Sequence, residues 1–114
     1  MSYILWGDKM LSVFITSKDD KVTKIEIQGH ANYNIHGYDI VCAAASTLAI
    51  YSINLINEFN SDAIDYEDAE SGMTIIIKED NNIVDTILKV MIEHFQELEK
   101  DYPKNIVLKN FITN

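Results

Sequence analysis

The sequence predicts an α+β fold, a two-layer sandwich in which two helices cover one face of a single sheet. Short runs that alternate apolar and polar residues indicate half-buried strands. Two longer segments repeat apolar residues at helical spacing and indicate packed helices. The order along the chain is β-β-α-β-β-α-β, which is typical of one sheet with helices on one side. At 114 residues, the chain has the size of one domain, residues 1–114.

The first two strands are predicted as a hairpin. Residues 11–16 are mostly apolar and β-branched, and in residues 22–30 isoleucines alternate with polar side chains. The polar residues 17–21 between these two runs are the predicted turn. Residues 1–10 are expected to be a variable tail or a short extra strand.

The first helix is predicted to begin after Asp39 and to end at Asn57 or Phe59. Aspartate is a preferred N-cap residue because its carboxylate accepts hydrogen bonds from the N–H groups of the first turn. The predicted buried face contains apolar and small residues at helical spacing: Val41, Ala45, Leu48, Ser52, Leu55, Ile56 and Phe59.

The other faces of this helix are also apolar, which predicts a second contact. The simplest contact is a homodimer interface near Ile50, Tyr51 or Ile53. The alternative is that the second helix and the loops cover these residues. The apolar segment at 40–56 is expected to be too short and too polar to span a membrane.

The second half of the chain predicts another hairpin, a helix and a last strand. Residues 63–69 and 73–78 are the strands of the hairpin and flank Gly72 in its turn. The second helix is predicted at 83–100, and the last strand at 105–112. The core stripe of the second helix is expected to be Val84, Leu88, Met91, Phe95 and Leu98.

Charge and cysteine content narrow the possible functions. The formal net charge of −9 argues against binding to nucleic acid and is compatible with a basic protein or peptide as partner. A single cysteine permits no intrachain disulfide, and the N-terminus lacks a basic region followed by a long apolar run. We therefore expect a cytoplasmic location and no membrane partner.

The carboxylates around the second hairpin predict a solvated, acidic outer face of the sheet. Calcium binding is the weaker alternative, because the spacing of these residues matches no calcium-binding loop. The residues concerned are Asp62, Asp65, Glu67, Asp68 and Glu70.

The stretch from Gly29 to Ser46 carries the residues best suited to catalysis. If the helix starts after Asp39, the chain's one cysteine, Cys42, lies in its first turn, where the helix dipole favours a thiolate. His30, at the end of the preceding strand, could accept the thiol proton. The alternative is that Cys42 is a small buried residue and His30 a surface residue.

Two strings in this stretch resemble the signature of the ribosomal-processing cysteine protease family, Prp. They are Gly-His-Ala at 29–31 and Asp-Ile-Val-Cys-Ala-Ala-Ala-Ser at 39–46, with Gly37 between them. The histidine and the cysteine lie twelve positions apart, which is similar to the spacing in that family. The resemblance covers most of the chain from about Leu11 onward.

The resemblance implies a cysteine endopeptidase that needs no cofactor. Cys42 would be the nucleophile, and His30 would act first as general base and then as general acid. The implied substrate is the N-terminal extension of a large-subunit ribosomal protein, cut after an aromatic residue. The polar loop at 31–38 is expected to move when substrate binds.

Further residues are predicted to support this pair. Asp39 either caps the helix or orients His30. The backbone N–H groups of Cys42 and Ala43 are predicted to stabilise the oxyanion. Ser46 lies one helical turn after Cys42, where it lines the pocket or bonds back to a helical carbonyl. Two glycines of the matching strings complete the supporting set, Gly29 and Gly37.

Two other functions remain open from the sequence. The first is a small metal-binding domain, although the spacing is not that of a known zinc motif. The second is a non-catalytic module for ribosome assembly or protein binding that uses the acidic face of the sheet. The metal ligands would be His30, His36, Asp39 and Cys42.

Overall fold

A computed structural model describes residues 10–29, 36–69 and 72–113, with the backbone alone at 36–39. The order of elements is the predicted one, and the α+β class is confirmed. The elements are β1 (Leu11–Lys18), β2 (Lys21–Gln28), α1 (His36–Phe59), β3 (Ile64–Ala69), β4 (Gly72–Ile77), α2 (Asn82–Asp101) and β5 (Ile106–Thr113).

The five strands form one sheet with the order β3-β4-β2-β1-β5. The hairpin pairs β1–β2 and β3–β4 are antiparallel, and the two hairpins join through an antiparallel pair of β2 and β4. The strand β5 pairs with β1 in parallel, because α2 carries the chain from one side of the sheet to the other. Among the described strands, β3 and β5 are the edges of the sheet.

The turn between β1 and β2 is tighter than the sequence predicts. The structure extends β1 to Lys18 and starts β2 at Lys21, which leaves two residues in the turn. Asp19 and Asp20 have φ angles of 54° and 63°. Positive φ at both central residues is the geometry of a type I′ turn, whose twist matches that of the flanking strands.

One hydrophobic core lies between the sheet and both helices, as predicted. Alternate residues of the central strands, Val13 and Ile15 on β1 and Ile25 and Ile27 on β2, are buried in it. The residues between them point to the other face of the sheet and are half-buried. The two-layer prediction with helices on one face is therefore confirmed.

Helix α1 buries a different set of residues from the predicted face. Phe59 is 60% exposed, so its predicted place in the core is wrong. Ile53 is 3% exposed, so it cannot contribute to a dimer contact as predicted. The shift arises because α1 faces the sheet and α2 together, which favours rows of residues four apart. The buried residues are Val41, Ala45, Ala49, Ser52, Ile53 and Ile56.

Helix α2 follows its predicted pattern closely. Asn81 is the N-cap, and its side chain accepts a hydrogen bond from the Val84 N–H at 2.9 Å. At the other end, the N–H of Tyr102 bonds to the carbonyl of Leu98, and Pro103 then prevents continuation. Four of the five predicted core residues are buried, namely Val84, Leu88, Met91 and Phe95, and Leu98 is half-buried.

Helix α1 is also apolar enough to be tested as a membrane span. By length and composition alone, residues Ile40–Phe59 are long and apolar enough to cross a membrane. The prediction that the segment is too short and too polar is therefore wrong. The core helix of a folded domain can have the same length and apolar composition. Five buried apolar residues of α1 pack in the core between the sheet and α2, which accounts for part of its apolar character.

Candidate active site

Helix α1 begins at His36, earlier than the sequence predicts. Asp39 therefore lies inside the helix, and its predicted role as N-cap is wrong. Cys42 is the seventh helical residue and lies in the second turn, so its predicted place in the first turn is also wrong. The field of a helix dipole falls off within the first turn. The helix terminus therefore contributes less to activating Cys42 than predicted.

The earlier start also affects the predicted oxyanion donors. In an α-helix, each N–H bonds to the carbonyl four residues before it. The N–H groups of Cys42 and Ala43 thus face carbonyls at positions 38 and 39, which belong to α1. Helix geometry uses both groups within the helix, which contradicts their predicted role as free donors to a substrate oxygen.

A small cavity brings three of the predicted site residues together. They are Gly29, Cys42 and Ser46, and the cavity has a volume of about 120 Å³. Cys42 is half-buried, and Ser46, one turn later on α1, is exposed. The full lining among the described residues is Leu11, Ile27, Gly29, Cys42, Ser46, Asp68, Gly72 and Met73.

The cavity lies where β2 ends and β4 begins. Leu11, Ile27 and Met73 are buried and give it apolar walls. Gly72 pairs with Gln28 on the neighbouring strand and has a φ of 153°. A Cβ atom at this position would collide with the carbonyl oxygen of Ile27. A glycine is therefore needed here for the two strands to pass so closely.

Asp68 lines this cavity, although the sequence predicts it on the solvated outer face. Side chains along a strand alternate, so Asp68 shares the helix-facing side of β3 with the buried Ile64. Asp65 and Glu67 point the other way, and Asp65 lies 3.2 Å from Lys78. The alternation of side chains along a strand separates Asp68 from Asp65 and Glu67, but the sequence prediction places all these carboxylates on one face.

Tyr66 lies on β3 between these positions and interacts with Asp68. Loss of hydration and the negative charge of Asp68, together with a hydrogen bond between the two side chains, raise the pKa of Tyr66 above its usual value. Tyr66 is 41% exposed. Its hydroxyl can therefore donate to the Asp68 carboxylate beside the opening of the cavity.

Several predicted site features lie outside the described residues. His30 and residues 31–35 are among them, as are the side chains of 36–39 and hence those of His36 and Asp39. Residues 36–38 belong to α1, so their predicted place in the loop at 31–38 is wrong. Among the described side chains, no three of His, Cys, Asp or Glu are placed to hold a metal ion.

The histidine His94 lies on α2 and lines a different groove, between the two helices. Its Nδ1 atom is 2.9 Å from the carbonyl oxygen of Val90, one turn earlier on the same helix. The ring is exposed and is not among the residues that line the cavity of Cys42. His94 is therefore remote from the cavity that Cys42 lines.

A sequence model of the family described as cysteine protease Prp matches residues 10–107. The chain belongs to this family. It is 35% identical over 103 residues to the ribosomal processing cysteine protease Prp of Staphylococcus aureus, covering 87% of this chain and 97% of that protein. The first nine residues fall outside the match.

Solved structures share the fold. The S. aureus ribosomal processing protease Prp with a substrate peptide superposes with a TM-score of 0.79 and 35% identity, covering 89% of this chain and 99% of that one. The same protease with a covalently linked product peptide gives a TM-score of 0.79 and 33% identity at the same coverage. SMU.848 from Streptococcus mutans, at 22% identity, has a TM-score of 0.82 over 93% of this chain and 97% of that one, which shows the fold alone.

Membership in this family sets the class of reaction. The chain is a cysteine protease, a hydrolase of peptide bonds that uses a cysteine nucleophile. The sequence contains one cysteine, and that cysteine lines the small cavity at the end of β2.

Proposed function

We propose that this chain is a cysteine endopeptidase that removes the N-terminal extension of a large-subunit ribosomal protein. Cys42 is the nucleophile, and His30 is the general base and acid. One observation carries the proposal: the cavity joins Cys42 to Gly29, the residue directly before His30 in the chain. The S. aureus relatives are ribosomal processing proteases, which supports the choice of substrate.

The reaction proceeds through an acyl-enzyme. The imidazole of His30 takes the proton of the Cys42 thiol, and the sulfur attacks the peptide carbonyl to form a tetrahedral oxyanion. Collapse of this intermediate breaks the C–N bond, and His30 passes the proton to the leaving amine. Water then attacks the thioester while His30 accepts a proton, which releases the carboxylate product and restores the enzyme. No step needs a cofactor.

The position of Cys42 in the second turn makes His30 the main source of activation. A thiol is made reactive by a nearby cation or base when the helix dipole is weak. Asp39, inside α1, is one turn from Cys42 and is proposed to orient His30 rather than to cap the helix. Ser46 and Gly29 line the same cavity as Cys42, and Gly37, in the first turn of α1, is the remaining supporting residue.

The size and lining of the cavity support cleavage next to an aromatic residue. Apolar cavities of about 150 Å³ in protein cores accommodate a benzene molecule. The cavity beside Cys42 measures about 120 Å³ and has walls of Leu11, Ile27 and Met73. Such a site accepts a single ring with small adjustments of the surrounding side chains.

The net charge of −9 supports a basic protein as the substrate and argues against direct binding to nucleic acid. We also propose a cytoplasmic location, where reducing conditions keep the single cysteine as a thiol.

A groove between α1 and α2 supports the proposal of a homodimer. It has a volume of about 280 Å³, and none of the described residues that line it is acidic, although the chain has 18 acidic residues. Copies of an acidic protein repel each other least at such a surface. Tyr51, at its rim, is 67% exposed, and Val90 is 44% exposed. Ile50 is half-buried, which leaves Tyr51 as the main contact of the predicted interface.

Sedimentation velocity tests the dimer. We expect Tyr51→Glu to shift the protein from dimer to monomer, because it places a charge in an apolar contact. Ile112→Glu, a matched change at a residue of β5 that is 82% exposed, should leave the dimer intact. A monomeric parent protein, or equal behaviour of both variants, would contradict this interface.

The protease proposal is tested by incubating the protein with a peptide that spans the N-terminal extension, followed by mass spectrometry. The parent protein should release two fragments cut after an aromatic residue. Cys42→Ala and His30→Ala should both stop cleavage. The control His94→Ala changes a histidine on the other helix and should retain full activity. Cleavage that survives in Cys42→Ala would overturn the proposal.

A further inference from the structure

The cavity of Cys42 carries one charged side chain among the eight described residues that line it. That side chain is Asp68, on β3. The other seven are apolar residues, glycines, Cys42 and Ser46. A substrate that enters this cavity therefore meets a carboxylate in an otherwise neutral and largely apolar environment.

The carboxylate is reachable from solvent. Asp68 is exposed and pairs with Met73 on β4, next to Gly72 at the start of that strand. Gly72 in turn pairs with Gln28 at the end of β2. Asp68 thus lies at the edge of the cavity where three strands meet, and α1 places Cys42 on the lining of the same cavity.

Within the described part of the chain, no lysine forms an ion pair with Asp68. The ion pairs join Lys21 to two aspartates beside α2, Lys24 to Glu26, and Lys78 to Asp65. The sequence contains no arginine. Tyr66 is the described residue that interacts with the carboxylate, through its hydroxyl. A carboxylate offers about four acceptor positions, so most of them stay open for a ligand.

We propose that Asp68 binds a lysine or arginine side chain of the substrate, within two residues of the bond that Cys42 attacks. Asp68 is then a specificity-determining residue, and this inference rests on the proposed cleavage at Cys42. Both residues line the same small cavity, and an extended peptide advances about 3.3 Å per residue, so a long and flexible lysine side chain close to the cut can reach Asp68. Hydrogen bonds between ionised groups are stronger than neutral ones.

The expected effect is a preference of about tenfold in kcat/KM for a basic residue at one position near the cut. A tenfold ratio corresponds to about 1.4 kcal/mol. The preference should appear mainly in KM, because the ion pair forms when substrate binds and does not depend on the transition state. It should weaken as salt is raised, since the pair is close to solvent.

The test uses peptides with the same aromatic residue before the cut. Each pair of peptides differs at one of the positions within two residues of the cut, where one peptide has lysine and the other has glutamine. The parent protein should favour lysine at one of these positions. Asp68→Asn should reduce that ratio to about one, and Asp68→Lys should reverse it for a peptide with glutamate at the same position. Glu67→Gln removes one negative charge from the other face of the same strand and should keep the parent ratio.

A lysine-to-glutamine ratio that is unchanged in Asp68→Asn would overturn the inference. If kcat/KM falls equally for both peptides, the ratio is unchanged and Asp68 has a structural role only. Binding measurements keep it separate from the protease proposal. The dissociation constants of both peptides are measured with Cys42→Ala and with the double variant that adds Asp68→Asn. If no peptide is cut but the lysine preference in binding depends on Asp68, the protease proposal fails and the role of Asp68 stands.

Discussion

The two helices of this fold pack against the same sheet but differ in construction. Helix α2 has a capped start at Asn81, one apolar stripe from Val84 to Phe95, and polar residues on its outer face. Helix α1 is apolar on most of its surface and has no basic residue in its last turn. It also carries Cys42 and Ser46 above the small cavity.

This difference separates stability from chemistry. The features of α2 are those that stabilise a helix on a sheet: a cap, a continuous buried stripe and a defined end. Helix α1 contributes small residues to the core, such as Ala45 and Ala49, so that its backbone lies close to the layers around it. Changes in α2 should therefore affect folding, and changes near the start of α1 should affect catalysis.

The largest expected effect on stability is that of Phe95→Ala. Phe95 is fully buried and is among the largest side chains of the core. Its truncation should lower the free energy of unfolding by about 3–5 kcal/mol, measured by urea denaturation. Activity per folded molecule should stay close to that of the parent. A loss of activity without a loss of stability would break the separation between the helices.

The second effect is the loss of the cap of α2. Asn81→Ala removes the side chain that accepts a hydrogen bond from the Val84 N–H at 2.9 Å. We expect a loss of about 1 kcal/mol in the free energy of unfolding. Asn81→Asp should retain most of the stability, because its carboxylate accepts the same bond. Equal losses in both variants would show that the side chain acts in some other way.

The third variant is Ser46→Ala on α1, which should lower activity and leave stability almost unchanged, unlike the two variants of α2 and its cap. Ser46 is exposed on the wall of the cavity, so its hydroxyl contributes little to folding. We expect a change within about 0.5 kcal/mol in the free energy of unfolding together with a clear fall in kcat/KM. The matched control is Ser52→Ala, whose hydroxyl bonds to the Leu48 carbonyl at 2.8 Å and is remote from Cys42. Equal activity of both variants would remove Ser46 from the site.

The smallest effect concerns the cluster that ties the first hairpin to α2. Lys21 lies 3.0 Å from Asp85 and 3.4 Å from Asp80. Partial burial pushes the pKa of Asp85 upward, but hydrogen bonds with Asp80 and Lys21 and the charge of Lys21 outweigh it and leave that pKa below its usual value. A hydrogen bond to Asp85 and the nearby acidic charges raise the pKa of Lys21.

These directions fix the pH range of the contribution. A lowered carboxyl pKa stabilises the fold above its unfolded value of about 3.9 and loses that effect as pH falls through the folded pKa. A raised lysine pKa stabilises below its unfolded value of about 10.4 and loses that effect as pH rises through the folded pKa. The Tm difference between the parent and Asp85→Asn should therefore be small, constant at neutral pH, and smaller at pH 3. A difference that grows in acid would contradict this assignment.

The sequence predicts α2 and the central strands well because their patterns are strong and local. The apolar stripe through Phe95 predicts a helix at 83–100, within one residue of the observed bounds Asn82–Asp101. The pairing of the two hairpins also follows from their turns. The parallel pairing of β5 with β1 needs the whole topology, since no local pattern in residues 106–113 specifies it.

The site was predicted less completely. Cys42 and Ser46 lie on one cavity with Gly29, but the helix starts three residues before Asp39, the residue that was expected to cap it. Propensity for an N-cap is a local preference, and tertiary contacts override it. The sequence does not place Asp68 in the site, because it is 26 positions from Cys42 along the chain and only the packing of α1 on the sheet puts both on one cavity.

The central claim is that His30 activates Cys42 in this cavity, and the rate of alkylation by iodoacetamide at varied pH tests it most directly. A free thiol has a pKa of about 8.5. The account predicts that Cys42 in the parent protein is still labelled well below that pH. In His30→Ala the profile should move up toward that value, whereas His94→Ala should match the parent. The account would be contradicted if the labelling rates of the parent and His30→Ala had the same pH dependence, with a midpoint at about pH 8.5.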